Sequence, residues 1–175
     1  MKLSELKLKD AYLIELEPIE DERGSFVRQF CKNEFRNHSI DVDICQCNIS
    51  TNNKKGTLRG LHYQKDSFSE PKLVSCTKGA IFDVVVDLRK DSMTYLQWQG
   101  FELSESNNKM LYVPQGFAHG FQTLVDDTVV YYQMGNYYAP EQACGLRWND
   151  PKLAIKWPEC EGRIINERDN SYELL

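Results

Sequence analysis

The sequence predicts an all-β fold, a sandwich or barrel closed within one domain spanning residues 1–175, and three observations predict it. Short apolar, β-branched or aromatic runs recur along the chain. Turn-forming clusters separate them, each short enough to join antiparallel neighbours. Helical patterning is confined to two short stretches. At about 100–200 residues per domain, 175 residues make one domain, able to bury about 70% of its unfolded surface without a disulfide or cofactor.

In chain order, AYLIEL from Ala11 reads as the first strand, and CKNEFRNHS at 31–39 as a short helix. The turn cluster NNKKG at 52–56 precedes KLVSC from Lys72, which reads as a strand and turns at Lys78-Gly79 into AIFDVVVDL from Ala80. GFELS from Gly100, the turn ESNN at 105–108 and KMLYVP from Lys109 make the next strand pair. Asp126-Asp127 turns the chain into TVVYYQM from Thr128, where Val130, Tyr132 and Met134 share one face and Tyr131 points the other way. DPKLAIKW at 150–157 reads as a second helix, with Pro151 in its first turn.

Composition excludes several classes of function. No window approaches the 18 uncharged apolar residues of a membrane-spanning helix. Twenty-one Lys and Arg against 26 Asp and Glu give a net charge of −5, with no basic block to neutralise a run of phosphates, so neither membrane nor nucleic acid is an expected partner. The opening MKLSELKLKD lacks the apolar core of a signal peptide, and the six cysteines are scattered. A cytoplasmic location with free thiols is therefore expected. Cys45 and Cys47, the only close pair, have strand spacing and no second pair, which argues against structural zinc.

Two of the three histidines stand in distinctive settings, His62 in RGLHYQ and His119 in VPQGFAHGF, while His38 lies in an ordinary polar stretch. Pro114, Gly116 and His119, spaced as PxGxxH, resemble the second motif of the cupin superfamily of double-sheet jelly-roll barrels. The first motif is half present, with Gln64 where metal-binding cupins place a second histidine and Glu70 only loosely placed as a ligand. Two histidines without a third strong ligand make a poor metal site, so no metal is expected.

The ordered set DERGSF (21–26), QCNIS (46–50), TLRGLHYQ (57–64), PKLVSCTKG (71–79), DVVVDLR (83–89), LSESN (103–107), VPQGFAHGF (113–121), VYYQMGNYYAP (130–140), GLRWNDP (145–151) and IKWP (155–158) resembles the nucleotide-sugar 3,5-epimerase family over about residues 10–170. The resemblance implies a cupin-type double-sheet jelly-roll barrel with a few short helices. It implies a cofactor-independent isomerase acting on a 4-keto nucleoside-diphosphate sugar, in nucleotide-sugar biosynthesis for surface polysaccharide. In such a sugar the protons at C3 and C5 are both α to the C4 carbonyl, so removing either gives an enolate. Inversion then needs a base on one face, an acid on the other and a cation near the oxygen.

By this resemblance His62 is the base, and an imidazole's ordinary pKa of about 6.5 suits proton abstraction at neutral pH. Asp169 in the tail NERDNS becomes its orienting carboxylate, although by itself that residue reads as a solvated tail position. Lys72 faces the C4 oxygen, where the residues alone would allow an edge-guarding lysine. Tyr132 is the acid of the opposite face, and otherwise a strand aromatic. Tyr138 lines the pocket, Arg23 and Arg59 contact the diphosphate, Gln46, Asn48 and His119 donate or accept hydrogen bonds, and Phe26 lies on the nucleoside side. Strand parity sets Arg59 and His62 on opposite faces unless Gly60 carries a bulge.

Two positions depart from many rhamnose-pathway relatives, which carry an acidic residue at Arg28 and often a lysine at Gln133; by the resemblance both are implied to lie near the nucleotide or sugar. A different nucleotide, a 4-keto heptose, or inversion at a single centre therefore stay open, as does a catalytically silent sugar- or metal-binding cupin. A homodimer is also implied, with N-terminal strands completing the partner's sheet and Arg23 and Phe26 donated across the interface.

Overall fold

β-Branched and aromatic residues set the strands, and the computed structural model, which describes residues 1–175, contains thirteen. In chain order these are β1 (Lys2–Glu5), β2 (Tyr12–Glu15), β3 (Ile19–Asp21), β4 (Gly24–Phe26), β5 (Gln46–Asn52), β6 (Leu58–Gln64), β7 (Lys72–Lys78), β8 (Ala80–Asp87), β9 (Trp98–Ser104), β10 (Lys109–Val113), β11 (Phe117–Thr123), β12 (Thr128–Met134) and β13 (Ala143–Gly145). Two five-residue α-helices, α1 (Lys32–Arg36) and α2 (Glu167–Ser171), and two 3-10 turns, Asp66–Phe68 and Pro140–Gln142, complete the regular structure.

The strands pair antiparallel into a six-stranded sheet, β1-β2-β10-β7-β12-β5, and a five-stranded sheet, β13-β6-β11-β8-β9. Alternation along each strand decides what fills the space between them. Val74, Cys76, Leu111 and Val130 of the first sheet meet Ile81, Val85, Phe117 and Phe121 of the second in one buried cluster. The intervening residues of β8, Val84 and Val86, are equally buried, because Leu146, Leu153, Ile155 and Trp157 cover the outer face of that sheet. Coverage on both faces explains why AIFDVVVD reads as a nearly continuous apolar run. Phe35 of α1, with Ile40 and Val42, covers Leu73 and Met110 on the outer face of the other sheet. The result is an all-β double-sheet jelly-roll barrel with two short helices.

Two expectations need correction. Residues 150–157 form a single turn, closed by Ala154 N–H to Asp150 O at 2.9 Å, and no helix. Ala154 adopts a left-handed φ of 48°, which stops helical propagation. The chain then runs extended, so that Ile155 and Trp157, two apart, both reach the outer cluster. Within the chain, β2 pairs with β10 and β1 with β2, so β1 forms one edge of the six-stranded sheet. The N-terminal element left outside both sheets is the hairpin β3-β4, with Ile19 and Phe26 exposed. Gln133 lies on the far face of β12 from Tyr132, by strand parity, and is not near the sugar site described below.

Candidate active site

Between the two sheets lies a cavity of about 450 Å³, walled by Arg59, His62 and His119 from the five-stranded sheet and by Asn48, Lys72, Tyr132 and Met134 from the six-stranded one. His62 and Tyr132 therefore face the same space from opposite walls. A second cavity of about 250 Å³ shares His62, Lys72 and Met134 with the first and continues to Glu70, Tyr138 and Arg168.

His62 reaches the interior because β6 is bulged. Phe121 stands opposite Arg59 and His119 opposite His62, so two steps on β11 match three on β6. Gly60 supplies the extra residue at φ 128°, where a Cβ would sit 2.6 Å from Gly120 Cα. This bulge resolves the parity conflict, and Arg59 and His62 both line the cavity.

Asp169, far from a solvated tail residue, is 1% exposed. Asn166 caps α2 by accepting from Asp169 N–H at 2.6 Å, which turns the carboxylate inward. One oxygen accepts from Gly60 N–H at 3.0 Å and the other lies 2.7 Å from His62 Nε2. With Nε2 donating to the carboxylate, Nδ1 is the free nitrogen of the neutral ring. Burial alone would push the Asp169 carboxyl up. The hydrogen bond and charge of His62, with the Gly60 amide, outweigh it and hold Asp169 below the usual carboxylate value. The His62 side chain is 41% exposed, hence open to a ligand.

Lys72 is no edge residue, since β7 runs between β10 and β12. Its ammonium sits 3.0 Å from Glu70, with both side chains buried. His119 pairs through Nε2 with Asp83 at 2.7 Å, and its ring meets Tyr132 edge to face at 6.1 Å. Burial pushes the Tyr132 phenol far above its ordinary value and the charge of Asp83 adds to this, against smaller opposing effects of Arg59 and Ser50. The phenol therefore stays protonated at neutral pH and holds its proton more tightly than a free phenol, so it can yield it only to a strong base such as an enolate carbon.

Arg59 donates from Nε to Asn52 Oδ1 at 2.8 Å, a neutral partner that leaves its charge free for an anion. Gln46 donates to Asn48 and accepts from Tyr138 N–H, linking these three at the mouth. Arg23, Phe26 and Arg28 are not brought to the cavity of their own chain. Arg23 is paired with Asp21 on the exposed hairpin, and Arg28 with Glu34.

The metal-ligand positions of the cupin motifs are engaged otherwise. Gln64 donates to Phe68 O and Tyr137 O and accepts from Ala139 N–H, stapling β6 to two loops. Both cavity imidazoles give Nε2 to carboxylates and Glu70 is committed to Lys72, so this donor set does not converge on a cation. Asp83 was missed in the sequence. Its signal was a charged residue on the inward parity in the middle of β8, flanked by Phe82 and Val84.

A family model described as dTDP-4-dehydrorhamnose 3,5-epimerase matches residues 5–175. The chain is 43% identical to the dTDP-4-dehydrorhamnose 3,5-epimerase of Sinorhizobium fredii over 175 residues, covering 100% of this chain and 90% of that one. Among solved structures, the enzyme of that name from Bacillus anthracis, with TDP and PPi bound, superposes with a TM-score of 0.96 at 42% identity over 99% of each chain. The dTDP-6-deoxy-D-glucose-3,5-epimerase of Legionella pneumophila, in complex with dTDP-4-keto-L-rhamnose, gives 0.94 at 36% identity over 99% of this chain and 92% of that one.

Proposed function

The chain belongs to the dTDP-4-dehydrorhamnose 3,5-epimerase family, and from that premise we propose that it inverts C3 and C5 of a 4-keto-6-deoxyhexose carried on thymidine diphosphate. It is an isomerase, and the carbanion at each centre is stabilised as the C4 enolate. The observation that carries this reading is the placement of an imidazole with a buried carboxylate behind it and a protonated phenol on opposite walls of one cavity.

In the proposed cycle His62 Nδ1 takes the proton α to the carbonyl while Asp169 stabilises the imidazolium that forms. Lys72 donates to the oxygen as it becomes an enolate, a contribution of about 3–4 kcal/mol for one well-placed donor. Tyr132 returns a proton to the opposite face, which inverts the centre, and solvent restores both groups. Arg59 takes the diphosphate, with Asn48, Gln46, His119 and Tyr138 as hydrogen-bonding groups of the pocket.

A second copy is part of this reading, because the site as one chain builds it lacks Arg23 and Phe26. Both lie on the exposed hairpin with a large apolar side chain, Ile19, beside them, which suits donation into a partner's cavity. Light scattering at micromolar concentration is expected to give about 41 kDa, twice the 20.4 kDa chain; a mass of one chain removes the shared pocket. A cytoplasmic location is also part of the reading, supported by six unpaired cysteines.

The test of function is solvent exchange. Incubation with dTDP-4-keto-6-deoxyglucose in heavy water is expected to place deuterium at both C3 and C5 of an inverted product. Deuterium at one centre reduces the enzyme to a single-centre epimerase, and none with thymidine, guanosine, cytidine or uridine diphosphate 4-keto sugars refutes the reaction.

A further inference from the structure

All but one of the cationic or imidazole groups of the main cavity have a buried carboxylate partner. His62 has Asp169, His119 has Asp83 and Lys72 has Glu70, whereas Arg59 donates to the neutral amide of Asn52. The exception is the group assigned to the diphosphate. We propose that Glu70 is a positioning residue of the epimerisation: its carboxylate fixes the Lys72 ammonium as a hydrogen-bond donor to the enolate oxygen and prevents that lysine from acting as a second phosphate-binding cation.

The local chain is built for this. Glu70 and Lys72 are two apart at the entry to β7, so an extended backbone sends both side chains to one side. Pro71 between them fixes its own φ, and its carbonyl accepts from Gly135 N–H at 2.9 Å. The two side chains are 5% and 8% exposed and 3.0 Å apart, and the second oxygen of Glu70 has no hydrogen-bond partner at all. Lys72 is thus the sole polar partner of the carboxylate, and no other carboxylate is paired with Lys72. A buried pair of this kind is costly to break from one side, because the remaining charge is left uncompensated. Lys72 also stands on the wall common to both cavities and shares the main one with Arg59, so an ammonium released from Glu70 is free to join Arg59 on an anion bound there.

The inference rests on the epimerase reading, and catalysis and binding should move in opposite directions. Glu70→Gln is expected to lower kcat about 10–100-fold, as a misplaced catalytic donor does, with deuterium uptake falling in parallel. Its affinity for dTDP, measured by titration calorimetry, is expected to rise at least threefold. Glu70→Asp, which restores the charge at shorter reach, should return dTDP affinity to the wild-type value and recover part of kcat. In the Lys72→Met background Glu70→Gln should cost nothing further, and that double variant removes both charges together and so keeps the fold even where Glu70→Gln alone loses it. A kcat within threefold of wild type in Glu70→Gln overturns the proposal. So does a fall in kcat accompanied by weaker dTDP binding, or a full additional loss in the double variant. Wild-type enzyme without deuterium uptake overturns the epimerase reading, and this inference with it; an active wild type with an unaffected Glu70→Gln overturns this inference alone.

Discussion

Asp83 and Asp87 lie four residues apart on one face of β8, both with 0% exposure, yet they are treated in opposite ways. Asp87 accepts five hydrogen bonds, three from Arg89 and one each from Ser92 and Thr94, between 2.6 and 3.0 Å. Burial pushes its carboxyl up, but these donors outweigh it and bring the pKa down to about 2. Arg89 goes on to Asp10 and Lys9 O, so the network ties the end of β8 to the N-terminal segment. Asp83 has His119 alone, and its second oxygen has no partner. A fully satisfied carboxylate closes a corner of the fold, whereas an under-satisfied one stands behind a cavity group, where its charge acts on His119 and Tyr132. Glu70 repeats the second pattern behind Lys72.

The comparison is sharpened most by losing the proposed base itself. His62→Ala is expected to reduce product formation and deuterium uptake by about 10⁴-fold, with a lowered melting temperature because the buried Asp169 carboxylate keeps only the Gly60 amide. Retained exchange would require another base.

Next in size is the corner. Asp87→Ala leaves Arg89 without its buried partner and should lower stability by about 3–5 kcal/mol in urea unfolding, while kcat of the folded fraction at low temperature stays near wild type. Asp83→Asn should do the reverse, lowering kcat about 10–100-fold with a much smaller loss of stability, since only one hydrogen bond is altered. Equal stability losses in the two variants would dissolve the distinction.

The smallest expected effect is a pH dependence. Because the folded pKa of Asp87 lies below its ordinary 3.8, its stabilisation is complete above that value and is lost as pH falls through about 2. The stability difference between wild type and Asp87→Asn should therefore narrow by about 2 kcal/mol between pH 5 and pH 2. A constant difference would contradict the network's role.

The same contrast explains what was legible in the sequence. Apolar, β-branched runs marked β7 and β8, and strand parity placed Val130, Tyr132 and Met134 on one face of β12, because the pairing there stays in register from Val130 onward. Where alternation breaks, at the Gly60 bulge, parity misplaces Arg59 against His62. The turn at Asp150–Ala154 looked helical because composition carries no sign of the left-handed φ at Ala154. Asp83, and the buried settings of Asp169 and Glu70, could not be read from the residues alone for a different reason. A carboxylate reads as surface unless its partner is known, and two of these partners lie 107 and 36 residues away.

The central claim is that base and acid act from opposite walls, and Tyr132→Phe in heavy water tests it most directly. The substitution preserves shape while removing the phenol. The enolate should still form against Lys72, and His62 should return a proton to the original face. The account predicts deuterium entering the recovered substrate with configuration retained, while inverted product falls by about 10²–10⁴-fold. Inversion at the wild-type rate, or parallel loss of exchange and inversion with a lowered melting temperature, would contradict it.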